Sequence, residues 1–199
     1  MRQGRAPPDP TQDQNQDQDQ DRKSGITMNQ QGLRLAPNMT WGAVAGMAAT
    51  FALSGVTQAL YARESTPNRL REIWARKGKS ANRVAVDRLA DAAGVSLSTA
   101  QTEAAEGVLH FGIGAGSGAV YAAVRPHIPV SPVVKGLGFG ASLWLVADEG
   151  INPALGLAAG PAGYPWQAHA RGLAAHLTFG LATEAILTLT DHFRGRRGA

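Results

Sequence analysis

The chain has 199 residues, 44% of them hydrophobic and only 6% aromatic, with 24 Gly, 11 Pro and no Cys. That length fits one domain with a tail, and the lack of Cys excludes a disulfide framework, a thiol nucleophile and any Cys-ligated metal centre. The net charge is +4, but the basic residues do not alternate with stacking aromatics as a nucleic-acid surface requires. They flank apolar segments instead, where membrane proteins carry them.

In chain order, residues 1–37 read as a tail. The run PPDPTQDQNQDQDQDRK at 7–23 alternates Asp and Gln and buries too little apolar area to offset the entropy of ordering, which predicts a disordered segment. It has no apolar h-region and is not a signal peptide. Met28 and Met39 offer alternative starts.

Residues 38–194 carry four apolar segments. The first, Thr40–Tyr61, has 22 residues without a charge, bracketed by Trp41 and Tyr61. About 20 apolar residues cross a bilayer, and aromatic residues prefer its interfaces. The others are about 104–124, 133–150 and 172–190, the last followed by Arg194 and a basic C-terminal tail at 195–199. A soluble four-helix bundle needs a polar face at 3.6-residue spacing, which the first and third segments lack. The expected fold is therefore all-α, a polytopic membrane protein with four transmembrane helices in a Gly-rich bundle.

Glycines recur at four-residue spacing as Gly42/Gly46, Gly112/Gly116, Gly114/Gly118 and Gly136/Gly140, with Gly180 in the fourth segment. Interior glycine costs a soluble helix about 1 kcal/mol relative to Ala. In lipid it lets helix backbones approach, so these positions are read as packing seams. GIGAGSG at 112–118 follows no strand and lacks the third glycine of a dinucleotide-binding turn.

The connection 62–103 is a basic loop with eight Lys/Arg, in which Ala81–Ala93 reads as a short amphipathic helix. RPHIPVSP at 125–132 is a Pro-rich turn, and 151–170 is a Pro/Gly connection with Tyr164 and Trp166 as interfacial anchors. An even number of spans puts both termini on one side. The terminal side also carries eight Lys/Arg close to the spans (Arg22, Lys23, Arg34, Arg125, Lys135, Arg194, Arg196 and Arg197), so the positive-inside rule leaves orientation open.

Ionisable residues inside a membrane are costly and face a bundle interior or water. The topology brings His110, Asp148, Glu149 and His176 to the membrane face nearest the 62–103 loop. His110 and Tyr121 share a stripe with Gly114, and His176 shares one with Gly180 and Glu184. Glu184 is the deepest and needs a partner, a proton or water. Two readings stay open: a cluster that binds or relays protons as pH falls, or structural hydrogen bonding between helices. No HxxxH or HExxH spacing marks a metal site, and no catalytic residue or cofactor is implied.

The runs HFGIGAGSGAVYAAV, GFGASLWLVADEGINPALGL and AAHLTFGLATEAI, with the Tyr-Pro of AGYPWQAH, resemble the YagU-like bacterial inner-membrane proteins. His110 to Tyr121 match that family's His-to-Tyr helix. Trp144, Asp148, Glu149, Pro153, Gly156 and Leu157 match its Trp–acidic–Pro–Gly-Leu run, and His176, Gly180 and Glu184 match its second His helix. The resemblance covers 104–190. It implies an inner-membrane location, cytoplasmic termini and a link to acid tolerance.

The expected function is thus that of a small, non-enzymatic inner-membrane protein supporting acid or envelope stress tolerance through a pH-responsive His/carboxylate cluster. The alternatives are a membrane scaffold using its glycine seams and a small proton-linked transporter or channel. The expected partners are the lipid bilayer and a second copy or another membrane protein, with no nucleic acid.

Overall fold

The computed structural model describes residues 38–197. The expected tail at 1–37 and residues 198–199 lie outside the described residues. All regular structure among the described residues is helical.

Helix α1 covers Asn38–Ala62, and α2 covers Thr66–Ala75. Ser65 caps α2 with its side chain, and Pro67 sits in the first turn, where the missing N–H costs nothing. Helix α3, Ala81–Ala93, occupies the range read from the sequence; the Ser80 side chain caps its start and Gly94, at φ +67°, closes its end. A left-handed residue after the last turn is the usual glycine stop. Helix α4, Thr99–Val124, opens with a capping box between Ser98 and Gln101, starting earlier than the expected boundary at 104.

After a short turn, α5 runs Pro132–Leu143. It continues without a break as a π-helix, Trp144–Ile151, and a single α turn, α6, Asn152–Ala154. Pro153 accounts for the widening. It has no N–H, and its ring presses on the carbonyl four residues back, so the Asn152 N–H bonds the Ala147 carbonyl five residues earlier. Helix α7, Trp166–Arg197, is one piece. Residues 195–197, expected in a tail, are its last turn, and its start at Trp166 takes in residues expected in the connection.

Three of these helices, α1, α4 and α7, are long and apolar enough to cross a membrane. Only 22%, 22% and 33% of their apolar windows are buried inside the protein. Phe51, Val108 and Leu145 stand on the outside, 67%, 74% and 58% exposed. In water each such side chain forgoes about 1.5–3 kcal/mol of burial; in hydrocarbon it forgoes nothing.

Glycines set the closest helix contacts. A Cβ at Gly42 or Gly46 of α1 would collide with the backbone of α4 at Gly118 or Gly114. On the other side α5 packs along α7, where a Cβ at Gly136 or Gly140 would collide with Gly180 or His176 backbone. Gly112 and Gly116 face open space, so the Gly112/Gly116 pair read as a seam joins nothing within the described residues.

Candidate functional site

The six polar residues expected as one cluster fall into two groups at opposite ends of the helices. Eleven residues separate His110 from Tyr121, about 16 Å along α4 at 1.5 Å per residue.

At the loop-side end, His110, Asp148 and His176 line a cavity of about 300 Å³. Its walls come from α1 (Thr50, Thr57), the start of α3 (Asn82), α4 (His110), the π segment (Asp148) and α7 (His176). Nδ1 of His176 donates to the Gly172 carbonyl at 2.9 Å and lies 3.6 Å from Asp148 Oδ2. His110 Nε2 is 3.2 Å from the Ser54 hydroxyl, and its Nδ1 is 3.5 Å from Asn82 Nδ2. An amide N–H can only donate, so this arrangement suits a ring whose Nδ1 is bare and whose Nε2–H donates to Ser54.

An adjoining cavity of about 180 Å³ shares Ser80, Asp148, Asn152 and Gly172 with the first and continues toward the loop. Glu149 lies here. It meets Nδ1 of His169 at 2.6 Å, while Nε2 of His169 donates to the Pro161 carbonyl at 3.0 Å. Tyr164 also lines this space, and burial raises its hydroxyl above the ordinary value. Ser80, the cap of α3, and Ala81 line both cavities, and Asn82 lines the larger one, so the start of α3 roofs them. Ser80 donates to Glu106 at 2.6 Å, and Arg88 donates to the carbonyls of Leu155 and Gly156 at 2.5 and 2.8 Å. These bonds hold α3 over the cavity.

At the other end, Tyr121 and Glu184 meet each other and Arg125. Glu184 accepts from the Tyr121 hydroxyl at 2.7 Å and from Arg125 Nη2 at 3.0 Å; Arg125 Nη1 donates onward to Asp191 at 2.8 Å. The partner that Glu184 requires is therefore a guanidinium and a phenol, not a residue of the loop-side group. A stripe at i, i+4, i+8 carries Glu184 about 12 Å from His176, past the cavity and into the reach of Arg125.

Sequence reasoning missed three participants. Arg125 reads from the sequence only as the start of the turn at 125–132. Asn82 gave no signal, because its role depends on α3 folding back over α4. The third is Arg171, which bonds Glu64 and donates to Glu72 at 2.6 Å with its guanidinium 5.0 Å above the Tyr61 ring. This cluster pins α2 to the start of α7.

Among the described residues no group of three or more His, Cys, Asp or Glu is placed to hold a metal ion. No protein-family model, curated protein or solved structure matches the chain.

Proposed function

We propose that this chain is a four-span protein of the bacterial inner membrane whose loop-side cavity senses protons and signals through α3. The fourth span is the continuous helix 132–154, in which the π turn carries Asp148 to the cavity and Glu149 to the smaller one adjoining it. The resemblance to YagU-like proteins supports the location and a role in acid tolerance.

The observation that carries the reading is the placement of His110 between Ser54 and Asn82, in one cavity with Asp148 and His176. Unperturbed histidine gains charge as pH falls through about 6.5. A proton on Nδ1 of His110 faces the Asn82 amide N–H, so the amide must turn its carbonyl inward or move away. Asn82 belongs to the first turn of α3, so the proton is felt by the helix that roofs the cavity. A proton on His176 strengthens its attraction to Asp148 on the widened turn. Of the glycines that a scaffold would use, Gly42, Gly46, Gly114, Gly118, Gly136, Gly140 and Gly180 are engaged inside the chain and only Gly112 and Gly116 face open space, which favours the sensing reading over association.

The chain has no native Cys, so spin labels can be placed at Ala92→Cys on α3 and Val108→Cys on α4. Their distance distribution, measured in liposomes, is expected to shift between pH 7.5 and pH 5 and to stay fixed in a His110→Gln/His176→Gln background. An unchanged distribution in the parent overturns the reading. Acid-driven proton flux through the same liposomes, lost in the same variant, makes the cavity part of a conducting path instead.

A further inference from the structure

At the Arg125 end, an open groove of about 480 Å³ runs between α4 and α5. Val120 and Val134 form its rims, 60% and 54% exposed, and the stacked rings of Tyr121 and Phe139, 4.1 Å apart, form its floor. It begins at Lys135, in the first turn of α5, and reaches Ser142, a length of about 10 Å along the helix.

Three features of the groove point to one occupant. It is apolar along its length and opens outward among the lipid-exposed valines. Its outer end carries one cation, Lys135, which has no ion-pair partner among the described residues; Arg125 nearby is taken by Glu184 and Asp191. Gly138 lies on the groove wall, where a Cβ would meet nothing within 4 Å. Gly136 and Gly140, two residues to either side, instead face the backbone of α7. Gly138 therefore leaves space that no helix of this chain fills.

We infer that this groove binds an anionic phospholipid, with one acyl chain along Gly138 and Phe139 and the phosphate at Lys135. Lys135 stands at headgroup depth, where an ammonium pairs with a lipid phosphate, and the groove runs from there toward the bilayer centre, as an acyl chain does. The inference rests on the membrane-spanning reading above and is independent of the proton-sensing one.

Native mass spectrometry of the detergent-purified chain tests it, with phosphatidylglycerol and phosphatidylcholine of the same acyl chains added in equal amounts. The parent is expected to retain phosphatidylglycerol about fivefold over phosphatidylcholine, because the choline ammonium cancels the headgroup charge that one surface lysine attracts while both phosphates reach Lys135. Lys135→Gln brings the two toward equality. Gly138→Leu removes both adducts while the thermal unfolding midpoint stays in place. Equal retention in the parent overturns the inference, as does survival of both adducts in Gly138→Leu. A dimer peak that Gly138→Leu abolishes also overturns it, because the groove is then an interface between copies. A chain that stays in solution without detergent overturns the membrane reading itself, which separates that failure from the others.

Discussion

The Tyr121 hydroxyl on α4 donates to the Glu184 carboxylate on α7 across 2.7 Å, and the same carboxylate is clasped by Arg125 at 3.0 Å. Glu184 is 3% exposed, so the pair is a buried charge lock that ties the end of α4 to the middle of α7. Removing one partner of such a pair strands the other charge and costs about 3–5 kcal/mol, whereas replacing both with apolar residues is often neutral. Glu184→Leu is therefore expected to lower the unfolding midpoint sharply, and Arg125→Met/Glu184→Leu to recover most of the loss. Thermal unfolding in detergent reads both. Tyr121→Phe removes one bond to a charged acceptor and is expected to cost about 1.5–3 kcal/mol.

Much of this fold is legible in local sequence. Ser80 and Gly94 bracket α3 and Pro132 starts α5, each acting within a turn or two, whereas the Ser98–Gln101 box that opens α4 is polar and precedes the apolar run, whose hydropathy sets the expected boundary at 104. Helix α2 has a local start in Ser65 and Pro67, but its packing is not legible: Glu72 is buried between Arg76, at the end of the same helix, and Arg171, far along the chain. The candidate site divides similarly. His110, Asp148 and His176 come together because chain direction alone brings them to one end. Asn82 and Arg125 join their clusters through a helix folding back and a long side chain reaching inward, and neither leaves a periodic trace.

The glycines separate by what faces them. A Cβ at Gly46 would press on the Gly114 carbonyl, while one at Gly116 would meet open space. Gly46→Ala is expected to force α1 from α4 and destabilise by about 1–3 kcal/mol, the usual cost of overpacking. Gly116→Ala is expected to be neutral or to stabilise by up to about 1 kcal/mol through helix propensity. Equal effects of the two substitutions on the unfolding midpoint would show that the α1–α4 contact does not depend on Gly46.

Arg171 compensates two carboxylates, Glu64 and Glu72, in a site where its side chain is 8% exposed. Arg171→Met leaves both charges buried with α2 unmoored. The expected result is rapid proteolysis or amide exchange across 63–79, with α4 and α7 still protected. Adding Glu64→Gln and Glu72→Gln to Arg171→Met removes the stranded charges and is expected to slow that cleavage again.

Asp87 provides a control for the acid response. It accepts from Lys79 at 2.8 Å and Arg83 at 3.0 Å. The Lys79 bond first, opposed by slight desolvation and helped by Arg83, holds its carboxyl below the ordinary value near 3.8. A carboxyl depressed in the folded state contributes stability that is present above the unfolded value and lost only as pH falls through the lower folded one. Between pH 7.5 and pH 5 Asp87 stays charged and cannot drive movement of α3. Asp87→Asn is expected to leave the acid-dependent label distance intact, and its loss in that variant would move the sensing group out of the cavity.

Pro153 tests whether the widened turn matters. Proline inside a helix costs about 3 kcal/mol, and here it coincides with the π register that carries Asp148 and Glu149. Such π turns are frequent at functional sites because they re-aim side chains at a cost to the helix. Pro153→Ala restores an N–H and relieves the pressure on the Glu149 carbonyl, so the segment is expected to relax toward α geometry and the unfolding midpoint to rise. The same change rotates Asp148 away from His176. The acid-dependent movement of α3 is then expected to weaken even as the protein becomes more stable, a trade of stability against function. A rise in stability with the full label shift retained would show that Asp148 takes no part in the response, and would leave His110 and Asn82 as its whole basis.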